Sequence, residues 1–162
     1  MRLLVSFAGG SGHFLPLLPL ARAALTWGDP VLVTGQSAML PMVTTAGFTA
    51  VASGGRTLAD PTARRDLMPV DRAAEAAVVA DVFAGTLARE RANRLIGIAR
   101  GWRPDVILYD EADYGAAVAA DVLGLPRAQM LVLLAGGTVD PARLAASLAR
   151  TRASAGSRLR WW

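Results

Sequence analysis

Short apolar runs rich in Val, Leu and Ile alternate along this chain with longer segments whose apolar residues recur at helical spacing. Strands buried on both faces read as continuous apolar runs, and the helices that cover them carry a single apolar stripe, so the alternation predicts βαβ units around a parallel sheet. Arg2–Ala8 is the first strand, and a helix is expected from about His13 to Trp27, with Leu17, Leu20, Ala21, Ala24 and Leu25 on one stripe. Pro16 falls in its opening turns, where a missing N–H costs least, whereas Pro19 predicts an irregular turn or a slight kink. Gly28-Asp29-Pro30 closes that helix and launches a second strand, Val31–Thr34. Ser37 can cap a short helix through Ala46, and Phe48–Ala52 reads as a brief third strand.

Periodicity is lost from Ser53 to Val70, and a loop of that length inside a compact α/β domain is a binding loop, a lid or a disordered segment. Asp71 can cap a long helix to about Arg100, with Gly85 and Gly97 as points of interruption. Asp105–Tyr109 is the fourth strand, Asp113–Leu123 a helix and Arg127–Leu134 the fifth strand. Asp140-Pro141, an N-cap followed by proline at the first helical position, starts a last helix through Arg150. The expected organisation is one doubly wound, mostly parallel, Rossmann-like α/β domain over residues 1–150, and a basic, disordered tail over 151–162.

Composition narrows the classes of function. A chain of 162 residues, 53% of them hydrophobic, can bury one substantial core. No apolar run is long enough to cross a bilayer, and the few apolar residues after Arg2 make a strand rather than a signal peptide, so a cytoplasmic protein is expected. With no cysteine and one histidine, neither disulfides nor a structural zinc site is expected. The net charge of +4 comes entirely from scattered arginines, densest at Arg150, Arg152, Arg158 and Arg160; no basic patch or motif for nucleic acid accompanies them.

The one histidine, His13, lies in Gly9-Gly10-Ser11-Gly12-His13-Phe14-Leu15-Pro16, directly after the first strand. At such a turn, glycines let a ligand approach the backbone, and the following helix presents unpaired N–H groups. An imidazole there faces whatever binds above the carboxyl ends of the strands, and it titrates near neutral pH. Asp110-Glu111-Ala112-Asp113 follows the fourth strand. Neighbouring strand ends share one crevice, so Asp110 could meet His13, fix its tautomer and leave the other ring nitrogen free to take a proton. An acid after a strand can equally be only a helix cap, a role that suits Asp113 better than Asp110. Gly10-Ser11-Gly12 also begins a dinucleotide fingerprint, but Leu15 stands in place of the third glycine and Thr34-Gly35-Gln36 offers no acid for a ribose. Both departures count against a nicotinamide-dependent oxidoreductase.

The run Gly12–Leu25 resembles the opening of the inverting GT-B glycosyltransferases that move a sugar from a nucleotide to a small molecule, in particular the bacterial group acting on macrolides and other natural products. Asp105-Val106-Ile107-Leu108-Tyr109-Asp110, with the helix into Gly124-Leu125-Pro126, is similar to a second region of that family. The resemblance covers Met1 to about Leu134. It implies the N-terminal, acceptor-binding half of a GT-B fold, with His13 as general base, Asp110 as its supporting acid, and Gly10, Ser11 and Gly12 near the donor phosphates. A nucleotide sugar would be the co-substrate, without a metal or other cofactor, and a hydrophobic small-molecule hydroxyl the acceptor. Family members carry a second, donor-binding domain that this sequence lacks. The resemblance therefore implies a truncated form that works with a donor-domain partner chain or self-associates; the alternative is a non-catalytic fragment or partner subunit. Around the expected crevice, Leu58, Leu67, Met68 and Val70 could form an apolar wall for the acceptor, with Phe14 beneath them.

Overall fold

The computed structural model describes residues 1–55, 69, 71–132 and 139–157. Five parallel strands form one sheet: β1 (Leu3–Ser6), β2 (Val31–Gly35), β3 (Thr49–Ala52), β4 (Val106–Asp110) and β5 (Arg127–Met130). Their order across the sheet is β3-β2-β1-β4-β5. The chain winds outward from β1 through β2 and β3, then returns to the other side of β1 for β4 and β5. The strand order therefore reverses between β1 and β4, where Leu3 pairs with Val106 and Ser6 with Tyr109. In open α/β sheets that reversal opens a crevice at the carboxyl ends of the strands.

Burial follows the sequence pattern. All residues of β1 and β2 are buried, while the edge strands β3 and β5, which carry Thr49, Arg127 and Gln129, are largely exposed. Alternate residues feed two cores. Leu3, Val5, Val31, Val33 and Leu108 pack with Leu17, Ala21, Val43 and Phe48 beneath α2 (Leu18–Thr26) and α3 (Leu40–Thr45). On the other face, Leu4, Leu32, Ile107 and Tyr109 meet α5 (Ala88–Trp102), α6 (Tyr114–Leu123) and Ala155 of α7 (Pro141–Ser157). Doubly wound α/β topology is thus present as expected.

Boundaries differ for physical reasons. The first helix comes in three pieces: α1 (Ser11–Phe14), a 3-10 turn at Leu15–Leu17, and α2. The tight turn lets Pro16 and Pro19 each sit at the start of a helical segment, where no N–H is missed. Asp71 caps α4 (Arg72–Ala77), accepting from Ala74 N at 3.0 Å, and a π-helical stretch, Val78–Leu87, carries the helix into α5. Gly85 lies in that widened stretch, whereas Gly97 leaves α5 unbroken.

The expectation that residues from Thr151 onward have no element is corrected, because α7 runs on to Ser157. Thr151 is buried and donates from Oγ1 to Ala84 O at 3.0 Å; Ser147 and Ala155, four residues either side of it, are buried too. Such a stripe of small residues packs closely but carries too little hydrophobicity to stand out in a sequence. Among the described residues, no helix is long and apolar enough to cross a membrane.

Candidate active site

His13 and Asp110, 97 positions apart, meet above the β1/β4 reversal, with imidazole Nδ1 and carboxylate Oδ2 separated by 2.6 Å. Asp110 is fully buried and accepts two further bonds, from Ala8 N at Oδ1 (2.8 Å) and from Ala112 N at Oδ2 (3.1 Å). A carboxylate with three donors around it is an acceptor, so Nδ1 carries the proton and Nε2 keeps its lone pair. The His13 side chain retains 17% of its exposure while Asp110 retains none, which leaves one partner of the pair open to a ligand.

Electrostatics follow from that geometry. The hydrogen bond to Asp110 raises the His13 pKa above the ordinary imidazole value, against the opposing effect of burial. Burial in turn pushes the Asp110 carboxyl up, opposed by its bond to His13. The imidazole is thus a stronger base than a free one and is held in one tautomer. It can take a proton at Nε2 while Asp110 stabilises the resulting cation.

Gly9 makes room for the ring. Its φ of +149° lies in a region that side chains rarely adopt, and a Cβ there would fall 2.2 Å from His13 Cδ2 and 2.6 Å from Nε2. Any other residue at position 9 would displace the imidazole. Gly10, Ser11 and Gly12 are exposed on the same turn, with Gly10 as the N-cap of α1. The wall residues Leu58, Leu67, Met68 and Val70 lie outside the described residues. Phe14 is corrected: its ring is fully buried, 5.2 Å from Phe7 and 6.4 Å from Phe48, so it is a core residue under the turn rather than the floor of an open pocket.

Sequence reasoning missed Arg91. Among the described residues it is the largest fully buried side chain; it sits on α5 beside Ala88, Ala92 and Leu95, and forms a two-pronged ion pair with Asp113: Nε to Oδ1 at 2.9 Å and Nη2 to Oδ2 at 2.5 Å. Its Nη1 donates to Gly54 O, and Nη2 also donates to Phe7 O and Ser6 Oγ. Ser6 Oγ in turn donates to Asp113 at 2.6 Å and accepts from Thr34 Oγ1 at 2.9 Å. A lone arginine on an otherwise apolar helical stripe was the available signal. Asp113 also caps α6 as expected, accepting from Ala116 N at 3.1 Å. Among the described residues, no three metal-ligating side chains converge.

No family model matches the chain. It is 29% identical over 152 residues to 10-deoxymethynolide desosaminyltransferase of Streptomyces venezuelae, a match spanning 81% of this chain and 36% of that protein. Aklavinone 7-beta-L-rhodosaminyltransferase of Streptomyces galilaeus is 31% identical over 156 residues, spanning 81% of this chain and 34% of its own length. This chain is a homologue of natural-product glycosyltransferases. The glycosyltransferase SsfS6 of Streptomyces sp. SF2575, solved with thymidine diphosphate, superposes with a TM-score of 0.73 at 23% identity, covering 98% of this chain and 45% of SsfS6. Spinosyn forosaminyltransferase SpnP gives 0.66 at 28% identity, covering 93% and 41%. The chain spans about a third of the length of the curated relatives it matches. Its fold corresponds to one half of the GT-B architecture.

Proposed function

We propose that this chain is the acceptor-binding half of an inverting, nucleotide-sugar-dependent glycosyltransferase that acts on a hydroxyl of a hydrophobic small molecule. The observation that carries the reading is the His13–Asp110 pair at the strand-order reversal, with Nδ1 bonded to a buried carboxylate and Nε2 left as acceptor. His13 Nε2 removes the proton from the acceptor hydroxyl as its oxygen attacks the anomeric carbon. The sugar–phosphate bond breaks on the opposite face, the nucleoside diphosphate departs with the bonding electrons, and the anomeric configuration inverts. Asp110 holds the ring and offsets its positive charge. The exposed Gly10–Gly12 turn lies on the donor-phosphate side, with a further domain supplying most donor contacts and neutralising the leaving group without a metal.

Support comes from homology to desosaminyl- and rhodosaminyltransferases and from the match to a structure solved with thymidine diphosphate. The test is transfer from a thymidine-diphosphate sugar to a macrolactone or anthracyclinone, with the donor half of a homologue supplied in trans. A general base of this kind contributes about 10²–10⁴-fold in rate, so His13→Ala should lose that factor while still binding acceptor. Transfer undiminished in His13→Ala would refute the base assignment. Inversion is checked by the anomeric configuration of the product, and retention would refute the single-displacement step.

A further inference from the structure

We propose that Arg91 is a positioning residue for the His13–Asp110 pair, acting through the one peptide unit between Phe7 and Ala8. The carbonyl of that unit accepts from Arg91 Nη2 at 2.9 Å, and its N–H donates to Asp110 Oδ1 at 2.8 Å. A peptide unit is planar and rigid, so fixing its oxygen fixes the direction of its N–H. That N–H sets the rotation of the Asp110 carboxylate, whose other oxygen meets His13 Nδ1 at 2.6 Å. The guanidinium is itself oriented by its two-pronged bond to Asp113, and Asp113 N donates to Asp110 O at 3.0 Å. Gly115 permits the close approach, since a Cβ there would stand 2.6 Å from Arg91 Cβ.

Stability alone does not account for this arrangement. A buried ion pair holds a fold together little better than apolar side chains of the same volume. What a guanidinium adds is several donors in a fixed fork. Here they join α5 to the end of β1, to the Gly54 carbonyl after β3 and to the cap of α6. The inference rests on reading His13 as the base, but it can be measured without any transfer assay.

Because the chain has a single histidine, ring-nitrogen NMR of the 15N-labelled protein reports His13 alone. The charged groups facing that imidazole are Asp110, Glu111 and Asp113. The double variant Arg91→Met/Asp113→Asn removes both charges together and keeps an oxygen to cap α6. Expected is a folded protein in which the Nδ1–H tautomer is no longer exclusive and the His13 pKa moves down toward that of a free imidazole. Loss of the Asp113 charge also moves that pKa down, so positioning is separated from charge by Arg91→Lys, which leaves both charges in place. Arg91→Lys, which keeps the charge but not the fork, should shift both readouts in the same direction by less, and it carries the test if the double variant does not fold. Ser6→Ala cuts the same network without touching the Phe7–Ala8 unit and should leave the ring signals unchanged. A folded variant without the guanidinium but with the wild-type tautomer and pKa would overturn the proposal, as would an equal displacement in Ser6→Ala. In the supplemented transfer assay, Arg91→Lys should lower kcat about 10-fold with KM unchanged. Absence of transfer in the wild-type protein would instead count against the glycosyltransferase reading and leave the NMR result standing.

Discussion

Asp110 ends β4 and Asp113 caps α6 three positions later; both are completely buried, yet their surroundings drive them in opposite directions. Burial raises the pKa of Asp110, whose partner is a histidine that can gain or lose a proton. Burial also pushes Asp113 upward, but the Arg91 charge and the bonds from Arg91, Ser6 and Ala116 outweigh it, and the carboxyl ends below its usual range. On the proposed reading, that contrast separates the carboxylate that serves acid–base chemistry from the one that serves structure. One carboxylate faces a titrating partner at a half-open edge; the other is tied to a permanent cation in a sealed interior. The difference lies in the cation each has been given, because depth of burial is the same.

The largest break in this comparison should come from the sealed pair. Asp113→Ala leaves the Arg91 charge buried and unpaired, and a loss of about 3–5 kcal/mol in unfolding free energy is expected from chemical denaturation. Asp110→Asn should instead spare most of the stability and lower transfer about 10²-fold or more, because an amide can donate to Nδ1 and favour the wrong tautomer. Gly9→Ala sharpens the open side alone. It forces a residue with φ +149° to carry a Cβ against the imidazole, and should cost about 1–3 kcal/mol while shifting the His13 ring resonances. The smallest effect is on pH dependence. His13 has a raised pKa when folded, so the stability it contributes is fully present below about pH 6.5 and lost as pH rises through the folded value. Asp113 has a lowered pKa, so its contribution is present above about pH 4 and lost as pH falls through the folded value. Thermal melts from pH 6 to pH 9 should show the wild-type advantage over His13→Gln shrinking as the pH rises.

Much of the scaffold was legible because buried parallel strands leave a plain mark: Leu3–Ser6, Val31–Gly35 and Val106–Asp110 are near-continuous apolar runs bounded by glycine, proline or aspartate. His13 and Asp110 could be paired because the topology of such sheets dictates which strand ends are neighbours. Arg91 escaped because a charge on a helix is ordinarily solvated, and only its place among Ala88, Ala92 and Leu95 betrays that it points inward. Gly9 and Gly115 were opaque for a different reason, since the space a missing side chain leaves open depends on neighbours 4 and 24 positions further back or forward in the chain. Phe14 was misread because an aromatic beside a ligand-facing turn can point either way; contact with Phe7 and Phe48 took it inward.

The strand order also has a bearing on how this protein is made. Of the five strands of this sheet, β1 leaves the ribosome before the others, yet it lies at the centre and needs β4 as its second neighbour. At about 5–20 residues per second, roughly a hundred residues take on the order of 5–20 s to synthesise. Through that interval the apolar Leu3–Ser6 segment has at most one flank covered, and His13 has no carboxylate to orient it. The His13–Asp110 contact therefore forms late in folding, in the same event that covers the second flank of the first strand.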